Sequence, residues 1–106
     1  MSIFDKLFEK KVAVKDLGDK AQGIALTAMN YFLTSSWSTV LNQRERATAA
    51  AEAWKKGRIN ADQRDMTLIV LNVFKNQLAE KEPTGETLVV STAVKELIEK
   101  LKALQF

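Results

Sequence analysis

Apolar residues recur along this chain at the three- and four-residue spacing of amphipathic α-helices. One proline and four glycines interrupt the pattern, and no convincing strand-like alternation occurs. The pattern therefore predicts an all-α fold, a compact bundle of four to five helices with a central helical hairpin, in a single domain over residues 1–106. The predicted helices cover about residues 2–11, 16–41, 43–56, 61–81 and 86–105.

The stretch KKGRINADQ carries the clearest local signal, because it ends one helix and begins the next. Gly57 suits the left-handed conformation that terminates a helix, and Lys55 and Lys56 complement the partial negative charge at its end. Asn60 and Gln63 have the spacing of a capping box, in which each side chain bonds the backbone N–H of the other residue. These residues predict a tight antiparallel hairpin between the helices over 43–56 and 61–81.

The last three predicted helices differ in how much of their circumference is apolar. The helix over 43–56 has a narrow face of small residues with one aromatic residue, made of Ala47, Ala50, Ala51 and Trp54. The helix over 61–81 has a wide arc and should be heavily buried; the arc holds Met66, Ile69, Val70, Leu71, Val73, Phe74 and Leu78. The final helix has one stripe, made of Val90, Val94, Leu97, Leu101 and Leu104. Residues 88–90 could instead form a short extended segment, because β-branched residues start helices poorly.

The predicted helix over 16–41 contains a long uncharged stretch, AQGIALTAMNYFLTSSWSTVLNQ, at residues 21–43. Its length would suffice to cross a membrane, but amide and hydroxyl side chains dilute its apolar character well below that of a typical span. As a helix it presents one broad apolar arc, made of Ala25, Leu26, Met29, Phe32, Leu33, Trp37 and Val40. The stretch is therefore predicted to pack in a core rather than in a membrane.

A strip of polar but uncharged residues lies beside that arc. It consists of Thr27, Asn30, Thr34 and Ser38, with Tyr31 on the neighbouring strip. Over about three helical turns, an ordinary solvent-facing strip would usually include Lys or Glu. We therefore predict that this strip meets another chain or lines a small polar cleft. Two alternatives stay open: a mildly polar exposed face, and a face covered by the N-terminal helix.

The composition narrows the chemistry that the chain can perform. Without cysteine there is no disulfide, thiolate nucleophile or cysteine metal site, and without histidine the usual general base and the commonest transition-metal ligand are missing. The carboxylate pairs Asp62 with Asp65 and Glu80 with Glu82 fall on exposed arcs or helix ends. No glycine-rich phosphate loop, Gly-x-Ser-x-Gly elbow or carboxylate-rich metal loop occurs. The sequence thus predicts a protein that is not an enzyme and needs no cofactor or metal.

The net charge of +3 is spread along the chain rather than concentrated. Basic and acidic residues number five and four in residues 1–20, six and four in 44–65, two and three in 66–86, and three and two in 87–106. The densest basic group belongs to the helix over 43–56 and its turn, where Arg44, Arg46, Lys55 and Arg58 could contact phosphate. The alternative is a solvated face on which these residues pair with Glu45 and Glu52.

A DNA-reading helix-turn-helix at the predicted hairpin is disfavoured. Its second helix is apolar over more than half its circumference and carries Asp62 and Asp65 near its N-terminus, where base contacts would be made. Nucleic-acid binding therefore stays a rival interpretation through the basic residues alone.

The N-terminal sequence MSIFDKLFEKK has the mixture of apolar and basic residues of a short interfacial membrane helix. A helix this short anchors weakly, so we expect it to fold back on the bundle instead. Asp5 and Lys6 would fall inside the apolar segment of a signal peptide, which makes a cytoplasmic location the expected one.

These observations predict a small interaction or regulatory protein that acts through helix–helix contacts with itself, as a homo-oligomer, or with a protein partner. The rival functions are a nucleic-acid-associated accessory protein and a peripheral membrane protein. Small helical proteins of this kind are frequent among phage-encoded and accessory bacterial genes, an analogy from size and fold alone.

Overall fold

A computed structural model of the chain describes residues 10–35, 43–80 and 84–106. In these ranges four α-helices pack against one another: α1 (Ala21–Thr34), α2 (Arg44–Lys56), α3 (Ala61–Ala79) and α4 (Gly85–Ala103). A short 3₁₀ helix, Val14–Leu17, precedes α1. The all-α bundle predicted from the sequence is confirmed. The predicted helix over 2–11 lies outside the described residues except for its last two positions, which are not helical.

The predicted hairpin between α2 and α3 is also confirmed. Gly57 has φ 90°, and its N–H donates to the carbonyls of Ala53 and Trp54, which closes the end of α2. Asn60 and Gln63 form the expected capping box: the Gln63 N–H donates to Asn60 Oδ1 at 2.8 Å, and the Asn60 N–H donates to Gln63 Oε1 at 2.9 Å.

The turn of this hairpin contains a strand that the sequence did not predict. Arg58–Ile59 (β2) pairs antiparallel with Val12–Ala13 (β1), with Val12 opposite Ile59. The Val14 N–H extends the pairing by donating to the Gly57 carbonyl at 2.9 Å. Backbone groups that the turn leaves without helical partners are satisfied in this way. Strands of two residues are too short to produce a two-residue periodicity, so the prediction of no strand was wrong here.

The first long helix is shorter than the predicted span of 16–41 at its N-terminal side. It begins at Ala21, because Gly18 has φ 112° and ψ 158°, a conformation that no helix contains. The residues before Gly18 turn as the 3₁₀ helix, which buries Val14 and Leu17.

The same helix also ends earlier than predicted, at Thr34. Ser35 is extended, with φ −98° and ψ 168°. The Thr34 hydroxyl donates to the Asn30 carbonyl at 2.8 Å, and the Ser35 hydroxyl donates to the Phe32 carbonyl at 2.8 Å. Hydroxyl groups that bond the last carbonyls in this way compete with another helical turn. Residues 36–42, over which the predicted helix would have continued, lie outside the described ranges.

The core lies around α3, which packs against α1, α2 and α4. The predicted narrow face of α2 is buried in this core, including all four of its residues, Ala47, Ala50, Ala51 and Trp54. From α1 the largest buried side chains are Met29 and Phe32. The predicted core positions Trp37 and Val40 lie outside the described residues.

The final helix begins at Gly85, so the extended alternative for residues 88–90 does not occur. Thr84 caps the helix, because its hydroxyl oxygen accepts the Thr87 N–H at 3.1 Å. At the other end, the Arg64 guanidinium donates to the carbonyls of Leu101 and Leu104, both at 3.2 Å. These contacts stabilise the two ends of α4.

Candidate protein-interaction surface

The uncharged strip lies on the outside of α1. Thr27, Asn30 and Thr34 are all exposed, and they lie opposite the buried residues Ala25 and Met29. The fourth member predicted from the sequence, Ser38, lies outside the described residues. No element of the described chain covers the strip.

The hydroxyl protons of the strip are already used within α1. Thr27 Oγ1 donates to the Gly23 carbonyl at 2.8 Å, and Thr34 Oγ1 donates to the Asn30 carbonyl at the same distance. The two threonines therefore present methyl groups and hydroxyl lone pairs, with no ionised group to dehydrate. Covering such a surface costs less desolvation free energy than covering a charged one.

An apolar groove borders the strip, and we call it the α1–α4 groove. It has a volume of about 370 Å³ and runs between α1 and α4 over α3. Its lining consists of Asp19, Lys20, Gly23, Ile24, Thr27, Phe74 and Val90. Thr27 belongs to both the strip and the groove. Tyr31, predicted to lie beside the strip, is half-buried against the groove residue Phe74, with ring centroids 5.6 Å apart and planes inclined at 53°.

Two large apolar side chains of α4 directly precede the groove residue Val90 in the sequence, and we call them the α4 ridge. Leu88 is 57% exposed and Val89 is 67% exposed, more than any other large apolar residue that the structure describes. Sequence reasoning missed this ridge because it followed only the core stripe of the last helix. The available signal was a second uncharged run, TLVVSTAV at residues 87–94. Strip, groove and ridge lie side by side on α1 and α4. We call them together the uncharged face, because charged side chains line it only at its ends: Asp19, Lys20 and Glu96 at one end and Glu86 at the other.

Charged side chains lie at the two ends of this face. Lys20 lines the groove and also the depression beside the ridge, whose lining includes Thr92 and Glu96. Glu86 is exposed in the first turn of α4, one turn before Val89. Neither Lys20 nor Glu86 has an ion-pair partner among the described residues. Asp19 lines the groove beside Lys20 but not the depression next to the ridge.

The four predicted phosphate contacts do not come together. Arg46 is paired with Asp62 at 2.7 Å, and Lys55 lies 3.4 Å from Glu52. Arg44 and Arg58 lie at opposite ends of α2, about 20 Å apart by the rise of an α-helix. The structure therefore separates the residues that the sequence grouped.

A different basic group forms at the C-terminal end of α2. Arg58 lies between two open clefts, one of about 640 Å³ that includes Lys15 and one of about 500 Å³ that includes Lys11 and Lys56. Sequence reasoning missed Lys11 and Lys15, because only the β1–β2 pairing brings them to this end of the molecule. Asp19 and Glu52 line the same two clefts and reduce their positive charge.

The carboxylates considered for catalysis are separated or paired. Asp62 bonds Arg46 and Asp65 bonds Arg64, each at 2.7 Å. Glu80 is exposed, and Glu82 lies outside the described residues. Across the described ranges no three acidic, histidine or cysteine side chains come close enough to hold a metal ion.

Two segments were considered for membrane contact: the uncharged stretch at residues 21–43 as a span, and the N-terminal residues as an interfacial helix. Within the described ranges, no helix combines the length and the apolar character that crossing a membrane requires. The N-terminal residues proposed to lie on a membrane surface or on the bundle are outside those ranges.

The structure is a small all-α bundle with an apolar groove and two exposed apolar side chains on the side formed by α1 and α4. No protein-family model matches the chain, and neither does any curated protein or solved structure.

Proposed function

We propose that this chain is a non-enzymatic interaction or regulatory protein that works through helix–helix contacts on the uncharged face of α1 and α4. The observation that carries the proposal is the continuity of the strip, the α1–α4 groove and the α4 ridge on one side of the bundle. Exposed apolar surface next to uncharged polar surface is the arrangement that protein contacts cover. A cytoplasmic setting stays a prediction from the sequence.

The geometry favours a helical partner segment. The groove lies between α1 and α4, with the aromatic ring of Phe74 at its floor and short residues such as Gly23 and Thr27 along one wall. Grooves of this shape accept the apolar face of an amphipathic helix, which inserts side chains at three- and four-residue spacing. Small wall residues let the incoming backbone approach closely.

Site-specific photocrosslinking in the source cell tests the proposal. A photoreactive phenylalanine derivative replaces Thr27 in one variant and Thr48 in a control, because both threonines are exposed on a helix and bond the carbonyl four residues earlier. We expect crosslinked polypeptide, either another copy or a partner, only from the position of Thr27. Equal crosslinking from both positions, or none from the uncharged face, would contradict the proposal.

A second candidate function is contact with nucleic acid through the basic end of α2. It is supported by the gathering of Lys11, Lys15, Lys56 and Arg58 around two adjacent clefts. Binding of this kind would weaken steeply as salt is added, because counterions are released from the phosphates. The acidic residues that line the same clefts make it the weaker candidate.

A further inference from the structure

The β1–β2 ladder turns basic side chains to its outer side. The sequence KVAVK, which contains β1, alternates valines with lysine and alanine, and successive residues of a strand point to opposite sides. Val14 is buried, whereas Lys11 and Lys15 are exposed. Ala13 pairs with Arg58, which is also exposed, and Arg58 lines one cleft with Lys11 and another with Lys15. We call Lys11, Arg58 and Lys15 the basic row.

Arg58 is the middle member of the basic row and lies between the two clefts. It shares the cleft of about 640 Å³ with Lys15, and the cleft of about 500 Å³ with Lys11 and Lys56. None of these basic side chains has an ion-pair partner among the described residues. Because like charges that are close together repel each other, an anion that enters the clefts is stabilised by several cations at once.

The two carboxylates that line the clefts do not cancel this charge. Glu52 lies 3.4 Å from Lys55, a cation outside the basic row, and is therefore already paired. Asp19 lines only the larger cleft and has no ion-pair partner in the described part of the chain. The unpaired cations thus outnumber the unpaired carboxylate.

We propose that the basic row binds the phosphate backbone of a nucleic acid, without reading its base sequence. The inference rests on the second candidate function and names the β1–β2 ladder as the element that makes the contact. Lys11 and Lys15 are separated by at most about 13 Å, the extended length of four residues, so the row can meet several phosphates of one strand. No aromatic side chain lines either cleft in the described structure, so contact to the backbone does not include base stacking.

The surroundings of the basic row favour a nucleic acid over a protein or a membrane. The core of a protein interface is apolar and poor in charge, and membrane-surface binding uses inserted apolar side chains as well as basic ones. The large apolar side chains that the structure describes as exposed, Leu88 and Val89, lie on α4 and line neither cleft. A phosphate chain needs no such side chain, because its binding depends on charge.

Fluorescence anisotropy of a labelled oligothymidylate, titrated with the purified full chain at several salt concentrations, tests this proposal. With three phosphate contacts, a plot of the logarithm of the association constant against that of the salt concentration should have a slope of about −2. Arg58→Ala, Lys11→Ala and Lys15→Ala should each make the slope shallower by about 0.7, because each removes one contact. Asp19→Asn should tighten binding about threefold, because it removes the opposing carboxylate.

Lys95→Ala is the matched control. Lys95 is exposed on α4, has no ion-pair partner among the described residues and lines neither cleft. Its substitution removes the same charge and should leave the slope unchanged. The side chains of the basic row are exposed, so their alanine variants should keep the native circular dichroism spectrum. An equal effect of Lys95→Ala on the slope would overturn the proposal.

The remaining outcomes separate this inference from the candidate function on which it rests. If the native chain binds but only Lys56→Ala changes the slope, the second candidate function stands and the ladder is not its site. If the chain binds vesicles of anionic phospholipid but not the oligothymidylate, or binds neither, both fail. None of these outcomes bears on the uncharged face, which crosslinking from the position of Thr27 tests independently.

Discussion

At the scale of single residues, the interior of the bundle depends on one buried polar contact. The Trp54 indole N–H donates to Thr67 Oγ1 at 2.8 Å, and the Thr67 hydroxyl donates to the Gln63 carbonyl at 2.6 Å. Both Trp54 and Thr67 are fully buried. Every buried side-chain polar atom in the described residues has a partner, and this chain of two bonds satisfies the indole and the hydroxyl together.

Thr67→Val should lower the free energy of unfolding by about 1–3 kcal/mol, because it keeps the shape of the side chain but leaves a buried indole N–H without an acceptor. Urea denaturation monitored by circular dichroism measures the change. Thr48→Val is the matched control: Thr48 is exposed and bonds only the Arg44 carbonyl, so its substitution should change the stability by less than about 0.5 kcal/mol. Equal losses in the two variants would mean that the indole contact is not important for stability.

At the scale of secondary-structure elements, the corner between α2 and α3 fixes the direction of the chain. Gly57 ends α2 at φ 90°, β2 pairs with β1 directly afterwards, and the Asn60 capping box begins α3. Gln22 adds a contact from α1, because its amide donates to the Trp54 carbonyl at 2.8 Å. Five elements, α1, α2, α3, β1 and β2, therefore meet at this corner.

Gly57→Ala should lower the free energy of unfolding by about 1 kcal/mol, although nothing lies within 4 Å of the added methyl group. The loss comes from backbone strain alone, because an L-residue rarely adopts a positive φ. Gly85→Ala is the control, since Gly85 also has free space and lies in the first turn of α4 with no positive φ. The control should be neutral or slightly stabilising in the same denaturation experiment. An equally stable Gly57→Ala variant would show that the corner tolerates another conformation.

At the scale of the whole molecule, the sequence predicted the class of fold and the hairpin because both depend on local signals. The apolar spacing within a helix and the cap at Asn60 are each contained in a few neighbouring residues. The β1–β2 pairing was not predictable in this way, because it joins Val12 to Ile59 through contacts distant in sequence. The end of α1 at Thr34 also depends on hydroxyl bonds that compete with a helix that the pattern alone would continue.

For the same reason, the strip of the candidate surface could be predicted from the sequence and the groove could not. The strip on α1 could be recognised, because a run without charge on one helix face is visible in the sequence. The groove was not, because it exists only where Ile24, Phe74 and Val90 from three helices come together. Likewise, the basic residues were grouped by their closeness in sequence, and the length of α2 separates Arg44 from Arg58.

The proposed function predicts that the uncharged face of α1 and α4 is where this protein meets another chain. The most direct measurement is photocrosslinking in the source cell from single positions across this face and, as controls, from exposed positions of α2. Crosslinks should form from Lys20 and Thr27 on one side of the groove and from Leu88, Val89 and Thr92 on the other, while Thr48 and Glu52 of α2 give none. Crosslinks confined to α2, or none from any position of the face, would contradict this account.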